Sequence, residues 1–226
     1  MNSALWKTIL LLGGSVCGAL LPSFVSAQTA KTPVIGSPDT ATADPPVSRP
    51  QTQPIQVPLF HDLAFTNFTA KTFRYHPPAG PRRRWAKVIL TADFSVTPGR
   101  QYDRTAQIMI GRANVYFGTT MEPSRTVGPA WHVERDVTDD LALLQSAQPG
   151  EAILGNIVNA TYTGVIHGSA SLLFYPAERK SPAAETPDVV LPLPSKAGGA
   201  ANVSGPGGAL TETFAFPTNV VRAYLD

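Results

Sequence analysis

The sequence predicts an all-β domain in which two antiparallel sheets pack face to face. Apolar and polar residues alternate through many short segments, Gly and Pro separate these segments, and one stretch alone has the spacing of a helix. No internal repeat accompanies this pattern. The commonest eight-stranded sandwich with these features is a jelly roll, so we expect an antiparallel jelly-roll β-sandwich with one short helix.

The first 27 residues have the features of a secretory signal peptide. Lys7 supplies the positive charge, an apolar run follows, and residues 25–27 form the cleavage site. The single cysteine, Cys17, lies inside this segment, so we expect no disulfide in the mature chain. The apolar run is shorter than the roughly 20 residues that a membrane span requires. We therefore expect a secreted or periplasmic protein that does not contact a membrane.

Residues 28–57 differ in composition from the rest of the chain. Six prolines lie among Thr, Ala, Ser and Asp, with almost no large apolar side chain. Such a segment cannot bury enough surface to offset its chain entropy, so we predict an extended, disordered linker. The jelly-roll domain is expected to occupy residues 58–226.

Strand patterns then follow along the domain. In the clearest of them, residues 85–94, every second side chain is apolar, which predicts a strand with one buried face. Further strands are predicted at 104–110, 114–117, 131–137, 152–158, 162–175, 188–193, 210–216 and 219–225. A helix is predicted at 138–146, with Thr138 as its cap and Leu141, Leu143 and Leu144 facing inward.

Charge and motif content exclude several classes of function. The net charge is +2, and one basic run at residues 82–84 has no second basic stripe beside it, so we expect no nucleic-acid partner. His132, Glu134 and Asp136 alternate along a predicted strand and would share one face. We interpret them as a polar outer face of the sheet, and we expect neither a metal site nor a cofactor.

The stretch "GRQYDRTAQIMIG" at residues 99–111 places an acid and a base before a buried strand. Alternation puts Arg104, Ala106, Ile108 and Ile110 on one face of this buried strand and Asp103 at the head of the other, mostly polar face. A partly desolvated carboxylate there could take a proton from water. Arg104 has a planar fork that suits oxygen acceptors, and it could orient a carbonyl or stabilise a developing negative charge. The structural alternative is an ion pair at the sheet edge, and the local pattern leaves both interpretations open.

Several segments together resemble the peptide-N4-(N-acetyl-beta-glucosaminyl)asparagine amidase A family, which is related to peptide-N-glycosidase F. The resemblance covers most of the chain from Phe60 to Tyr175 and returns near the C-terminus. The segments are "FHDLAFTNFTAKTFRY" (60–75), "WAKVILTADFSVTPGRQYDRTAQIMIG" (85–111), "VYFGTTMEPSRT" (115–126), "WHVERDVTD" (131–139), "LGNIVNATYTGVIHG" (154–168) and "PTNVVRAYLD" (217–226).

The resemblance implies a secreted glycoamidase that hydrolyses the amide between an N-linked glycan and asparagine in glycopeptides or glycoproteins. It implies that Asp103 is the catalytic carboxylate and that Arg104 binds substrate. The related enzyme has a glutamate in the strand after its Asp-Val-Thr-Asp element, whereas this sequence has Asn156 and Asn159 there. The related enzyme also has a second jelly roll, so we expect this chain to need a second jelly-roll domain or chain for activity.

Two other classes of function stay open at this point. A non-catalytic glycan-binding sandwich would use an aromatic platform, for which Trp131 and Tyr162 are the candidate substrate-binding residues. A structural secreted module would neither bind nor cleave glycans.

Overall fold

The computed structural model describes residues 47–80, 84–102, 104–120, 128, 130–178 and 184–192, positions 205, 209, 211, 213, 215 and 216, and residues 219–224. These residues belong to one unit, residues 33–226. The expected signal peptide lies outside the described residues, as does the expected linker up to residue 46. No helix in the described part of the chain is long and apolar enough to cross a bilayer.

Within the described residues, the domain has eight strands and one short helix. The strands are β1 (Ile55–Phe65), β2 (Lys71–Tyr75), β3 (Trp85–Val96), β4 (Thr105–Ile110), β5 (Ala113–Thr119), β6 (Ala130–Asp136), β7 (Gln148–Leu154) and β8 (Ile166–Pro176). A 3₁₀ helix, Thr138–Gln145, lies between β6 and β7.

The strands form two antiparallel four-stranded sheets. Sheet 1 has the order β1-β8-β3-β6, and sheet 2 has the order β2-β7-β4-β5. Most successive strands therefore lie in different sheets, which is the connectivity of a jelly roll. The predicted all-β, antiparallel jelly-roll sandwich with one short helix is confirmed.

The core lies between the two sheets and follows the alternation of the sequence. In β4 the side chains of Ala106, Ile108 and Ile110 are buried, whereas Thr105 is exposed. Sheet 1 contributes the other half of the core, including Leu172, which is fully buried. Each sheet buries one face in this way, because side chains along a strand point alternately to its two sides.

The helix prediction is confirmed in position, and its predicted cap is wrong. The position before the helix is Val137, and no side-chain capping bond is made there. Instead, Thr138 Oγ1 accepts a hydrogen bond from the backbone N–H of Val88, and the Thr138 N–H donates to Asp136 Oδ1 at 3.1 Å. Thr138 therefore ties the helix to β3. Leu144 is buried as predicted, and Leu141 and Leu143 are half-buried.

Two segments differ from the predicted strands. β1 and β2 were not among the predicted strands, and β1 begins at Ile55, inside the segment that we expected to be a linker. The three strands predicted after residue 187 are not found at the positions described there. The last strand among the described residues ends at Pro176, and Val221 and Tyr224 are 90% and 81% exposed. Alternation alone predicts a strand without showing which neighbour would pair with it.

Candidate functional site

Two connections meet at one end of the sandwich. One links β3 to β4, and the other, residues 155–165, links β7 to β8. The Thr97 N–H donates to the Val165 carbonyl at 2.9 Å, and the Val165 N–H donates back to Thr97 Oγ1 at 2.8 Å. A Cβ added at Gly99 would lie 2.7 Å from the backbone N of Gly164. The two backbones therefore approach as closely as a glycine allows.

Arg104 is held at the start of β4 by its backbone and its side chain. Its N–H donates to Thr120 Oγ1 at 2.9 Å, and its carbonyl accepts from the Thr120 N–H at 2.7 Å. The guanidinium donates to the Tyr102 carbonyl at 3.1 Å and to Gln101 Oε1 at 3.3 Å, and it lies over the Tyr102 ring. Arg104 is 7% exposed, so a cation is fixed in a largely buried position.

Tyr162 reaches the same place from the other connection. Its ring meets the ring of Tyr102 edge to face with the centroids 5.2 Å apart, and the guanidinium of Arg100 lies 5.5 Å from its centroid. A turn at Asn159 sets its position, because Asn159 Oδ1 accepts from the N–H groups of Thr161 and Tyr162 at 2.8 and 2.9 Å. We call Arg100, Gln101, Tyr102, Arg104 and Tyr162 the arginine–tyrosine cluster.

The structure thus brings two of the four predicted site residues together. Arg104 and Tyr162 both contact Tyr102 or its carbonyl, although 58 positions separate them in the sequence. Asp103 lies outside the described residues. Sequence reasoning missed Tyr102, Arg100 and Gln101 as members of this cluster, although all three stand within the quoted stretch beside Asp103.

Trp131 lies elsewhere, and its assignment as an aromatic platform is corrected. Its side chain is 6% exposed and is stacked on Phe94, with ring centroids 5.4 Å apart. Phe94 is also its direct cross-strand neighbour in sheet 1. Since a sugar needs an accessible ring face, this position fits a core residue rather than a substrate-binding residue.

Asn156, which the resemblance compared with a glutamate of the related enzyme, is held by contacts inside the protein. It is fully buried, and its Nδ2 donates to the carbonyls of Phe65 and Gly164 at 2.9 and 3.2 Å. These bonds hold the β7–β8 connection against the end of β1. Asn156 therefore supports the cluster from behind and does not present its amide to solvent.

A second polar group lies on the outer face of sheet 1, where His132 and Glu134 were predicted. His132 bridges two acids, with Nδ1 2.7 Å from Asp93 Oδ1 and Nε2 3.0 Å from Glu134 Oε1. Glu134 Oε2 also accepts from the Val47 N–H at 2.8 Å, and Arg49 forms an ion pair with Glu134. We call Arg49, Asp93, His132 and Glu134 the histidine–carboxylate cluster.

Residues 47–52, which we call the N-terminal strap, are held on this face. Besides the contacts with Glu134, the Ser48 carbonyl accepts from Lys87 Nζ at 3.1 Å, and Thr52 Oγ1 donates to the Pro176 carbonyl at 2.8 Å. This part of the expected linker is therefore attached to sheet 1. The carboxylate of Glu134, 6% exposed, accepts two of these contacts, which gives a buried charge the partners that it requires.

The histidine–carboxylate cluster changes the pKa of three of its groups, and Arg49, whose pKa is raised by its hydrogen bond to Glu134, is one of them. Burial would lower the pKa of His132, but hydrogen bonds to Asp93 and Glu134 outweigh it and raise that pKa above its ordinary value. Burial would raise the pKa of Glu134, but the Val47 N–H, His132 and Arg49 together lower it. In the part of the chain that is described, no three His, Cys, Asp or Glu side chains are arranged to hold a metal ion.

The fold and the first cluster define a jelly-roll sandwich that presents arginine and tyrosine side chains from the connections at one end. The family model for peptide N-acetyl-beta-D-glucosaminyl asparaginase amidase A matches residues 45–226. The chain belongs to this family.

A curated relative shares the match. Peptide-N4-(N-acetyl-beta-glucosaminyl)asparagine amidase A of Prunus dulcis is 37% identical over 139 residues, which cover 60% of this chain and 24% of the relative. The chain thus spans about a quarter of that relative's length.

Two solved virus structures are also similar to this chain, at TM-scores too low to support an argument about it. Turnip yellow mosaic virus has a TM-score of 0.26 at 11% identity, covering 65% of this chain and 90% of that chain. Desmodium yellow mottle tymovirus has a TM-score of 0.22 at 11% identity, covering 63% and 98%.

Proposed function

We propose that this chain provides one wall of the substrate site of a glycoamidase that hydrolyses the amide between an N-linked glycan and asparagine. Membership of the amidase A family supports the reaction class. The observation that carries the site is the meeting of Arg104 and Tyr162 at Tyr102, directly beside position 103 in the sequence.

In this proposal Asp103 acts as the base. It removes a proton from water, the water oxygen attacks the amide carbon of the glycosylated asparagine, and the carbon–nitrogen bond then breaks as Asp103 returns that proton to the leaving nitrogen. The products are aspartate and a glycosylamine. Arg104 has a fixed, largely buried guanidinium that can orient the carbonyl or a glycan oxygen and stabilise the negative charge that develops there.

Tyr162 and Tyr102 would hold the sugar. Tyrosine combines a ring face for the apolar side of a sugar with a hydroxyl for its polar edge. Tyr102 is 37% exposed, and Tyr162 is partly exposed, so both rings are accessible to a ligand. The same pair is the observation that favours the second candidate function, a glycan-binding module without catalysis.

A further part of the proposal concerns the rest of the protein. We propose that the chain is exported after cleavage behind Ala27, and that a second jelly-roll domain or chain completes the site. No cofactor, nucleic acid or membrane takes part in the proposed reaction.

Two proteins test the proposal with a fluorescently labelled N-glycopeptide. The first is the 226-residue chain, which we expect to bind the glycopeptide and to show little or no cleavage. The second is a chimaera in which this chain replaces the matching region of the Prunus dulcis relative, which we expect to cleave it. Full cleavage by the 226-residue chain would contradict the need for a second domain.

The role of Asp103 is tested in the chimaera. We expect Asp103→Asn to lower kcat by about 100-fold or more, because the amide cannot accept the proton from water. Asp188→Asn, at an exposed position outside the cluster, is the matched control and should leave kcat unchanged. If both variants cleave at the rate of the parent, Asp103 is not the base. Glycopeptide binding that persists without cleavage in every protein would favour the binding module.

A further inference from the structure

Gln101 lies at the centre of the arginine–tyrosine cluster and has no role in the proposed reaction. Its side chain is buried, with 4% exposed, between the β3–β4 connection and the β7–β8 connection. A buried amide has to satisfy its NH₂ group and its oxygen inside the protein. The partners of the two ends therefore show what the residue does.

The nitrogen end binds the connection that carries Tyr162. Nε2 donates to the Ile157 carbonyl at 2.9 Å and to the Gly164 carbonyl. These two carbonyls lie on either side of Tyr162 in the sequence. A single NH₂ group thus binds both ends of the segment between Ile157 and Gly164 and fixes the position of this segment relative to the β3–β4 connection.

The oxygen end binds the guanidinium. Oε1 of Gln101 accepts from Arg104 at 3.3 Å, and the Tyr102 carbonyl accepts from the same guanidinium. These acceptors direct the guanidinium over the Tyr102 ring. The side chain of Gln101 therefore contacts both elements that supply the proposed substrate contacts.

We propose that Gln101 is the positioning residue of this site, which sets the distance between the guanidinium of Arg104 and the ring of Tyr162. The inference rests on the proposed function, because it assigns Gln101 to the binding of the same glycopeptide. Gln101 does not touch the substrate; it acts through Arg104 and Tyr162.

A neutral amide is the side chain that this position requires. Glutamate keeps the length and an acceptor for Arg104, but its second oxygen would face the carbonyls of Ile157 and Gly164 without a proton to donate. Methionine keeps the length of the side chain but can neither donate to these carbonyls nor accept from Arg104 as an amide oxygen does. The two substitutions therefore separate the arginine contact from the contact with the β7–β8 connection.

The test uses the full chain and two measurements. Amide hydrogen exchange in residues 155–165 reports the tether, and the Kd for an N,N′-diacetylchitobiosyl-asparagine peptide reports the site. We expect faster exchange in both Gln101→Met and Gln101→Glu. We expect the Kd to rise about tenfold in Gln101→Met and about threefold in Gln101→Glu, since the glutamate retains the bond to the charged guanidinium.

Gln56→Met is the matched control. Gln56 is an exposed glutamine on β1 whose Nε2 donates to Ser171 Oγ at 3.1 Å, away from the cluster. Both measurements should stay at the wild-type values in this variant. Gln101→Glu, which is nearly identical in size to the wild type, keeps the test decisive should the methionine variant not fold.

The results separate this inference from the proposed function. If the wild type binds the peptide and both Gln101 variants bind it equally well, the positioning role is overturned while the proposed function stands. If the Kd rises equally in the two variants, the bond between Gln101 and Arg104 does not contribute to binding, and that part of the inference is overturned. If the wild type does not bind the peptide at all, the proposed function is overturned first.

Discussion

The arginine–tyrosine cluster and the histidine–carboxylate cluster both attach a segment that is distant in the sequence, but they use different side chains to do so. Each uses a buried polar side chain, Gln101 or Glu134, to attach a segment that is distant in the sequence. Around Gln101 the tether is an uncharged amide that bonds to carbonyls and an arginine. Around Glu134 the partners include a histidine, an arginine and a backbone N–H.

The difference has a consequence for pH dependence. Amide and carbonyl groups do not titrate in the physiological range, so the tether at the proposed site keeps its form as the pH changes. A pH dependence of activity would then report the reacting groups. In the histidine–carboxylate cluster, by contrast, the pKa of His132 is raised and that of Glu134 is lowered, which should give the fold a pH-dependent stability.

Gly99→Ala should have the largest effect, because it disrupts the contact between the β3–β4 connection and the β7–β8 connection. The new methyl group would lie 2.7 Å from the Gly164 N, which forces the two connections apart. We expect a loss of about 3 kcal/mol in the free energy of unfolding, the cost typical of overpacking a close contact. Urea denaturation measures it. Gly80→Ala, where an added Cβ meets nothing within 4 Å, is the comparison at another positive-φ glycine. Equal stability of the two variants would argue against a close approach at Gly99.

Glu134→Ala removes the contacts of Glu134 with the N-terminal strap and should cause the next largest loss of stability. The variant leaves the Val47 N–H and Arg49 without their carboxylate and removes a partner of His132. Arg49 is 41% exposed, so solvent screens part of its interaction. We expect a loss of about 2 kcal/mol by urea denaturation at pH 6, together with faster proteolysis near residues 47–52. Unchanged proteolysis would show that the strap is held without Glu134.

The sequence was sufficient to predict the β-sandwich and much of the polar outer face of sheet 1. Alternation predicted that Ala106, Ile108 and Ile110 are buried, and it placed His132 and Glu134 on one face, as the structure has them. It also contained the evidence against Trp131, which shares its side of β6 with the buried Val133. An aromatic residue on the apolar face of a strand is a core residue unless another observation shows otherwise.

The contacts of the two clusters could not be predicted in the same way. Gln101 bonds to carbonyls 56 and 63 positions away, and backbone carbonyls are the same at every residue. Glu134 bonds to a Pro-rich segment whose composition is typical of a disordered linker. The composition of this segment did not show that residues 47–52 would contact a buried carboxylate on β6.

The smallest expected effect concerns the pH dependence of the second cluster, which His132→Gln tests. The pKa of His132 is raised in the folded state, so its contribution is complete below the ordinary value of 6.5 and is lost as the pH rises through the folded value. Glu134 has a lowered pKa, so its contribution is present above 4.5 and is lost only as the pH falls through the folded value below that. The two contributions coincide between about pH 4.5 and 6.5.

We therefore expect His132→Gln to lose more stability at pH 5.5 than at pH 8.5. His132 is 46% exposed and Asp93 is 74% exposed, so solvent reduces the difference to a few tenths of a kcal/mol. Urea denaturation of wild type and variant at both pH values measures it, with His76→Gln as an exposed histidine outside the cluster. A larger loss at pH 8.5 would reverse the assigned sign and show that neutral His132 is the form that holds the two carboxylates.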